Sequence, residues 1–379
     1  MDSFKRVLKA INFKESDRVP LDICGTTVSG IAITTLKKLL KKYNYESKID
    51  IPDYIQQIGI PSPSFLSFLN VDTKRVGPYR IPDFDRKVKK INHRKRIIDF
   101  WNIEYLMKEN EYYFNQVSWP LAKENNLKDA ILAYNFPKPD KNYLKKAIKK
   151  NVKKNSTFYP ILDRDCAGLL EMSTRLRGVE KFFMDLYLEK KTAGALIDKI
   201  LEYKFAYWDI TLDAFGKREV IISESDDYGT ESSLLISPKM LKDIFFPRLK
   251  KLFKFIKEKN PKARIFFHSC GAIREIIPDL IDIGVDILNP IQYKAAGMGL
   301  KNLKKDFGKE IVFWGGGIDT QKILPFGTTT AVKDEVKRVL DIMAPGGGYV
   351  FATVHNIQAD IPIKNIVSML ETLKSHRKY

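Results

Sequence analysis

Short apolar runs ending in polar corners alternate along this chain with longer stretches whose apolar residues recur every three or four positions. Residues 158–162, 219–223, 264–268, 285–288, 310–314 and 348–352 have the first pattern. It fits strands buried on both faces, as in a parallel sheet. Residues 193–214 have the second, with Leu196, Ile197, Ile200, Leu201 and Phe205 on one side, which predicts a long helix. Shorter helices are predicted over 4–11, where Val7, Leu8 and Ile11 share a side, over 31–40, 272–283 and 364–373. Ser237-Pro238 starts another, with serine as N-cap and proline in the first helical position. Residues 18–25 read as a first strand running into a glycine turn, and 51–69, with three prolines, as irregular or short helical structure.

Repeated strand–loop–helix units imply parallel strands joined by helical crossovers. At least six such units favour an α/β fold of the closed (β/α)8 TIM-barrel type over an open sheet. The rhythm breaks over about 84–155. There Ile103-Glu104-Tyr105-Leu106-Met107 and Tyr112-Tyr113-Phe114-Asn115-Gln116-Val117 flank Lys108-Glu109-Asn110-Glu111, which predicts a β-hairpin. No flexible linker sets this stretch apart, so it reads as an elaboration on one barrel domain spanning 1–379.

If all barrel strands run the same way, their carboxyl ends share one rim, where α/β enzymes place their chemistry. That rim collects Cys24, Asp165, Cys166, Glu224, Asp226, Asp227, His268, Cys270, Asn289, Gln292, Asp319 and His355. Two of the chain's four histidines fall there. His268 and Cys270, two apart at a strand end, face one space and are both zinc-type ligands. The plain alternative is a satisfied core histidine beside an inert cysteine. Glu224, Asp226 and Asp227 suit a metal ligand, a general base or an acceptor for a polar ring, or equally a solvated loop capping backbone amides. Asn289 and Gln292 are candidate cofactor contacts. Gly316, within Gly315-Gly316-Gly317, would let backbone approach an anionic ligand, although no phosphate-loop context surrounds it and a steric role is the simpler reading.

The charge balance qualifies this picture. With 65 basic and 46 acidic residues the net charge is +19, which favours anionic partners. The densest lysine clusters, 87–96 and 145–154, lack interleaved aromatics and match no nucleic-acid module, so they read as solvated helix faces and no nucleic acid is expected. No apolar run approaches the ~20 residues that span a bilayer, so no membrane association is expected. Three cysteines form no disulfide framework, and residues 1–6 lack a signal-peptide core, which together predict a cytoplasmic protein.

Several segments carry a family likeness: Asp226-Asp227-Tyr228-Gly229-Thr230, Leu235-Ile236-Ser237-Pro238, Phe267-His268-Ser269-Cys270-Gly271, Gly284-Val285-Asp286-Ile287-Leu288-Asn289-Pro290, Phe313-Trp314-Gly315-Gly316-Gly317 and His355-Asn356-Ile357-Gln358. Together they resemble the uroporphyrinogen decarboxylase superfamily of (β/α)8 barrels, most strongly over 158–373. The resemblance implies one of two chemistries. The decarboxylases bind an eight-carboxylate tetrapyrrole without a cofactor, through an arginine-rich segment after the first strand. Here that segment is Cys24-Gly25-Thr26-Thr27-Val28-Ser29-Gly30, without arginine, which argues against porphyrin binding, although His355 falls where those enzymes carry an active-site histidine. The corrinoid-dependent methyltransferases of the superfamily bind Zn2+ through a His-x-Cys pair and a later cysteine. His268 and Cys270 match the pair. No cysteine follows Cys270, and His355 lies in the corresponding region.

The resemblance therefore implies a methyltransferase with zinc on His268, Cys270 and His355. It exchanges a methyl group between a small-molecule donor or acceptor and a corrinoid, a methylcobalamin-type cofactor held by a partner protein. Glu224, and behind it Cys166, are further ligand candidates, and Asp226 or Asp227 would orient the substrate. A decarboxylase-type lyase of porphyrin biosynthesis and a non-catalytic barrel that binds a corrinoid or tetrapyrrole are the alternatives.

Overall fold

The computed structural model describes residues 1–77, 88–91, 93–123, 126–152 and 156–379. Its strands are β1 (Ile31–Ala32), β2 (Asp50–Asp53), β3 (Ile58–Ile60), β4 (Thr73–Arg75), β5 (Lys89–Ile91), β6 (Arg94–Ile98), β7 (Glu104–Lys108), β8 (Asn115–Gln116), β9 (Tyr159–Asp163), β10 (Val220–Ser225), β11 (Ala263–His268), β12 (Ile287–Asn289), β13 (Val312–Trp314) and β14 (Tyr349–Val350). Seven of them form one parallel sheet in the order β14-β13-β12-β11-β10-β9-β4. Helices such as Lys190–Phe215 between β9 and β10, and Phe246–Lys259 between β10 and β11, make the crossovers. The fold is that of a TIM-type barrel.

The eighth barrel position departs from expectation. Residues 18–25 form no strand; Leu21 makes a single parallel bridge to Phe351. Pro20 has no N–H to give a ladder, and the Leu21 amide goes to the Asp72 carboxylate at 2.9 Å. The segment still closes the cylinder. Asp22 N–H donates to the Phe351 carbonyl at 2.8 Å on one side, and Asp72 N–H donates to the Leu21 carbonyl at 2.8 Å on the other.

Inside the barrel, Tyr159, Ile161, Ile221, Phe266, Ile287, Val312, Trp314 and Val350 form their own apolar cluster. Val7, Ala10 and Ile11 of the helix Ser3–Ile11 belong to it, and Phe4 stacks on Tyr159 at 5.0 Å. This helix therefore plugs the end of the barrel from which the strands start. Fully burying side chains of this size stabilises by roughly 1.5–3 kcal/mol each.

The expected hairpin is present as β7 and β8, within a four-stranded antiparallel sheet ordered β5-β6-β7-β8. Of the first lysine cluster, the described residues 89–91 and 94–96 lie in β5 and β6 rather than on a helix face, whereas Lys145, Lys146, Lys149 and Lys150 of the second lie on the helix Lys141–Asn151, which buries Leu144 and Ile148; residues 87, 92 and 153–154 lie outside the described residues. A small antiparallel sheet, β1-β3-β2, flanks the rim. Among the described residues no helix is long and apolar enough to cross a membrane.

Candidate functional site

β11 is buried along its length except at Arg264, and its alternation turns Phe266 and His268 toward the barrel axis. The strand ends at His268, so Cys270 sits in the loop beyond it rather than on the strand. The loop nonetheless folds back: Cys270 Sγ lies 3.4 Å from His268 Nε2. His355, just beyond β14, crosses the rim to meet them. Its ring is 5.6 Å from that of His268, and the ligand atoms of His268, Cys270 and His355 all lie within 4.8 Å of one another. Among the described residues this is the sole grouping of three such side chains.

The trio fits a zinc ion. A tetrahedral zinc, at about 2.0 Å from nitrogen and about 2.3 Å from sulfur, sets those atoms about 3.5 Å apart. The surroundings also point the donors inward. Asn289 Nδ2 donates to the Trp314 carbonyl at 2.8 Å, so its Oδ1 must face His268 Nδ1, 2.5 Å away. The proton then resides on Nδ1, and the Nε2 lone pair is directed at Cys270 and His355. Burial lowers the pKa of both imidazoles to about 4, so both rings are neutral at physiological pH. The Cys270 thiol is raised well above its ordinary value by burial and by Asp227. A divalent ion bound there would displace its proton.

Asp227 holds the pair in place. Its Oδ1 accepts the Cys270 amide at 2.8 Å and lies 3.7 Å from His268 Nε2. Gln292 Oε1 accepts the Gly271 amide at 2.8 Å, fixing the same loop from the other side. The Asn356 side chain ties the His355 turn to the neighbouring loop after residues 18–25, accepting from Gly30 N at 2.6 Å and donating to the Thr27 carbonyl at 2.9 Å.

Other rim candidates are turned elsewhere. Glu224 alternates to the helix side of β10, where Lys204 Nζ at 2.7 Å and Trp208 Nε1 at 2.6 Å hold its carboxylate. It cannot join the trio, because β10 stands between. Cys166 is buried near Lys204 and Tyr203 and does not line the cavity described below. Asp226, also buried, accepts the Leu170 and Glu171 amides at 2.7 and 2.9 Å, capping the helix Leu169–Arg177 from outside it. Gly168, where that helix begins, has no room for a side chain: a Cβ there would lie 2.1 Å from the Ser225 carbonyl. Gly316 at φ +69° packs its backbone against Ile291, 2.7 Å from where a Cβ would sit, the steric role. Asn289 and Gln292 act through His268 and the Cys270 loop, not as contacts across open space.

Beside the trio opens a cavity of about 190 Å3, lined by Thr27, Val28, Gln56, Arg164, Ala167, Glu171, Arg175, Asp227, His268 and His355. Of these, Asp227, His268 and His355 were singled out from the sequence as candidates. Arg164, Glu171 and Arg175 were not singled out. Arg164 follows β9 directly, and its strand-end position was a usable signal; Glu171 and Arg175 sit one helical turn apart on the helix Leu169–Arg177, and nothing in their spacing tells which way that face points.

Comparison with known proteins places these observations. Residues 168–376, more than half of the chain, match the family profile described as "Uroporphyrinogen decarboxylase (URO-D)". A search of curated protein sequences returned no match. Among solved structures, a methyltransferase from Methanosarcina mazei superposes with a TM-score of 0.67 at 16% identity, covering 99% of this chain and 99% of that one. An endo-1,4-beta-xylanase from Caldicellulosiruptor owensensis aligns more loosely, with a TM-score of 0.34 at 11% identity over 76% of this chain and 79% of that one.

Proposed function

The chain belongs to the uroporphyrinogen decarboxylase family, and we propose that it is a zinc-dependent methyltransferase that exchanges a methyl group between a small substrate and a corrinoid carried by a partner protein. The observation that carries this reading is the convergence of His268, Cys270 and His355 to within 4.8 Å at the edge of a polar cavity. Three protein ligands leave a coordination position for substrate, the arrangement of catalytic rather than structural zinc. The bound metal would supply Lewis-acid activation of the oxygen or sulfur next to the methyl group.

The chain's own residues prepare that position. Asn289 fixes the His268 tautomer, Asp227 and Gln292 hold the Cys270 loop, and Asn356 anchors the turn that presents His355. The likeness to the Methanosarcina mazei methyltransferase, at 16% identity, concerns the fold; the methyl chemistry rests on the donor set. The size of the cavity favours this reading over porphyrin decarboxylation. Pockets for drug-sized ligands run from about 300 to 1,000 Å3, and a four-ring macrocycle with eight carboxylates needs more room and more cations than the described residues provide here.

Metal analysis tests the reading. Purified wild-type protein is expected to bind one zinc per chain, and Cys270→Ala to bind none or to lose it on dialysis. A wild type without stoichiometric metal after zinc loading excludes the mechanism. Conversion of uroporphyrinogen to coproporphyrinogen by metal-free protein would establish the lyase instead.

A further inference from the structure

A second cavity, of about 320 Å3, opens at the end of the barrel from which the strands start. Strand alternation explains its place. Tyr159 and Ile161 of β9 point into the barrel, so Phe158 and Pro160 point outward. Thr73 of β4 reaches inward to Asp22 Oδ1 at 2.6 Å, so Lys74 and Val76 point outward beside them. In a regular barrel a crossover helix covers such a face. Here the chain leaves β4 for the four-stranded sheet and returns through the helix Lys141–Asn151. That helix and Lys190–Phe215 both end at the cavity, with Asn151, Val152 and Phe215 in its lining. Among the described residues the apolar wall is Phe4, Val76, Val152, Phe158, Pro160 and Phe215. Phe4 comes from the plug helix and stacks on Tyr159 at 5.0 Å.

The rim of this cavity is basic. Among the described residues Lys74, Arg218 and Lys262 stand there against one carboxylate, Glu219, which accepts the Tyr159 hydroxyl at 3.3 Å. Arg218 lies over the Phe215 ring, 4.4 Å from its centroid, and its Nε donates to the Phe215 carbonyl at 3.1 Å. Two helix C-termini, each worth about half a negative charge, offset roughly one of the cations. About one positive charge is left beside an apolar, ring-lined space.

We propose that this cavity is a second small-molecule site, separate from the metal-ligating trio, and that it takes an organic monoanion built on a flat apolar ring, an aromatic carboxylate. The ring lies among Phe4, Phe158 and Phe215, and the anionic group at the rim toward Arg218 and Lys262. The volume falls within the range of small-ligand sites, about 300–1,000 Å3. Burial of the ring supplies the binding, and the rim cations select the charge. The inference goes beyond the methyl-transfer reading and does not depend on it, since His268, Cys270 and His355 lie at the opposite end of the barrel.

The test uses full-length protein and two probes of nearly equal shape, 2-naphthoate and its neutral analogue 2-naphthamide, with binding read by calorimetry. Wild type should bind one naphthoate per chain, about three- to tenfold more tightly than the amide, because charges at an open rim are partly screened by water. Val152→Trp, which puts a ring into the cavity, should weaken both probes by at least about tenfold. Lys262→Glu, an exposed change that leaves the apolar wall intact, should abolish the preference for the carboxylate and leave amide binding within about twofold. Thermal unfolding checks that each variant is folded, and Lys262→Glu carries the test if Val152→Trp is not. No saturable binding to wild type, equal affinity for the two probes, or affinities unchanged in both variants overturns the assignment. Zinc stoichiometry on the same samples should be unaltered by either substitution, so failure of this site and failure of the metal site are read separately.

Discussion

At the scale of single residues, the site depends on which way an amide points. Asn289 touches no open space, yet its two hydrogen bonds decide which nitrogen of His268 bears the proton. Groups that orient a metal-bound histidine typically alter metal affinity 10–100-fold when removed. Asn289→Ala is therefore expected to weaken zinc binding by about that factor with little change in fold, as measured by competition with a chromophoric chelator. Unchanged affinity would mean that the ring is held by packing alone. Glu224 shows the opposite case, a carboxylate at a strand end whose alternation carries it to Lys204 and Trp208. Its identity suggested chemistry; its parity along β10 gave it to the helix layer.

At the scale of elements, the loop after β10 does two jobs through adjacent residues. Asp227 faces the ligand trio, while Asp226 turns back to cap the helix Leu169–Arg177. Burial, with Glu171 nearby, raises the Asp226 pKa to about 8, above its ordinary 3.8. The folded protein therefore keeps this proton over a range where the unfolded chain has released it. Between about pH 4 and pH 8 folding takes up a proton, so this group lowers stability as pH rises through that window. Asp226→Asn should show a smaller fall in melting temperature from pH 5 to pH 8 than wild type. Its melting temperature at pH 5 should be lower, because one capped amide loses an acceptor at a cost of about 1–3 kcal/mol. Parallel pH profiles for the two proteins would show that Asp226 is ionised in the fold.

At the scale of the whole molecule, closure of the barrel is secured by a buried charge cluster. Asp72, fully buried, meets Arg6 Nη1 at 2.6 Å, Arg18 Nη1 at 2.9 Å and, farther off, Arg377 Nη1 at 3.9 Å. It also accepts Ser3 Oγ at 2.7 Å and the Leu21 amide at 2.9 Å. One carboxylate thus gathers the plug helix, the reduced eighth barrel position, β4 and the end of the last helix. Removing one partner from a buried ionic group costs about 3–5 kcal/mol. Asp72→Asn should lose that much in denaturant unfolding, with zinc affinity unchanged because the cluster lies at the opposite end of the barrel from the trio. A loss below about 1 kcal/mol would mean that the arginines relax into solvent.

The periodicity of the chain was enough for helices such as Ser3–Ile11, Ile33–Lys42, Lys190–Phe215 and Ile363–His376 and for six of the seven parallel strands, because a strand buried on both faces must be apolar throughout and a crossover helix must keep an apolar stripe. Val179–Leu188 and Thr329–Met343 were not picked out. The helix Lys190–Phe215 buries Leu196, Ile197, Ile200 and Leu201 as the pattern requires. β4 escaped notice because Asp72 and Arg75 interrupt its pattern, and both are buried only by partners elsewhere in the chain. Residues 18–25 looked like a full strand, yet Pro20 and the Asp72 carboxylate leave them one bridge.

The same division runs through the site. Local chemistry marked His268 and Cys270 as zinc-type ligands two positions apart, but β11 ends at His268, so what brings Cys270 to it is the loop held by Asp227 and Gln292 rather than strand alternation. That His355 completes the trio, that Glu224 and Cys166 face away, and that Arg164 and Arg175 line the opposite wall were decided by the tertiary structure. Strand parity, helix orientation and barrel closure bring together residues that are scores of positions apart, and no local pattern encodes those distances.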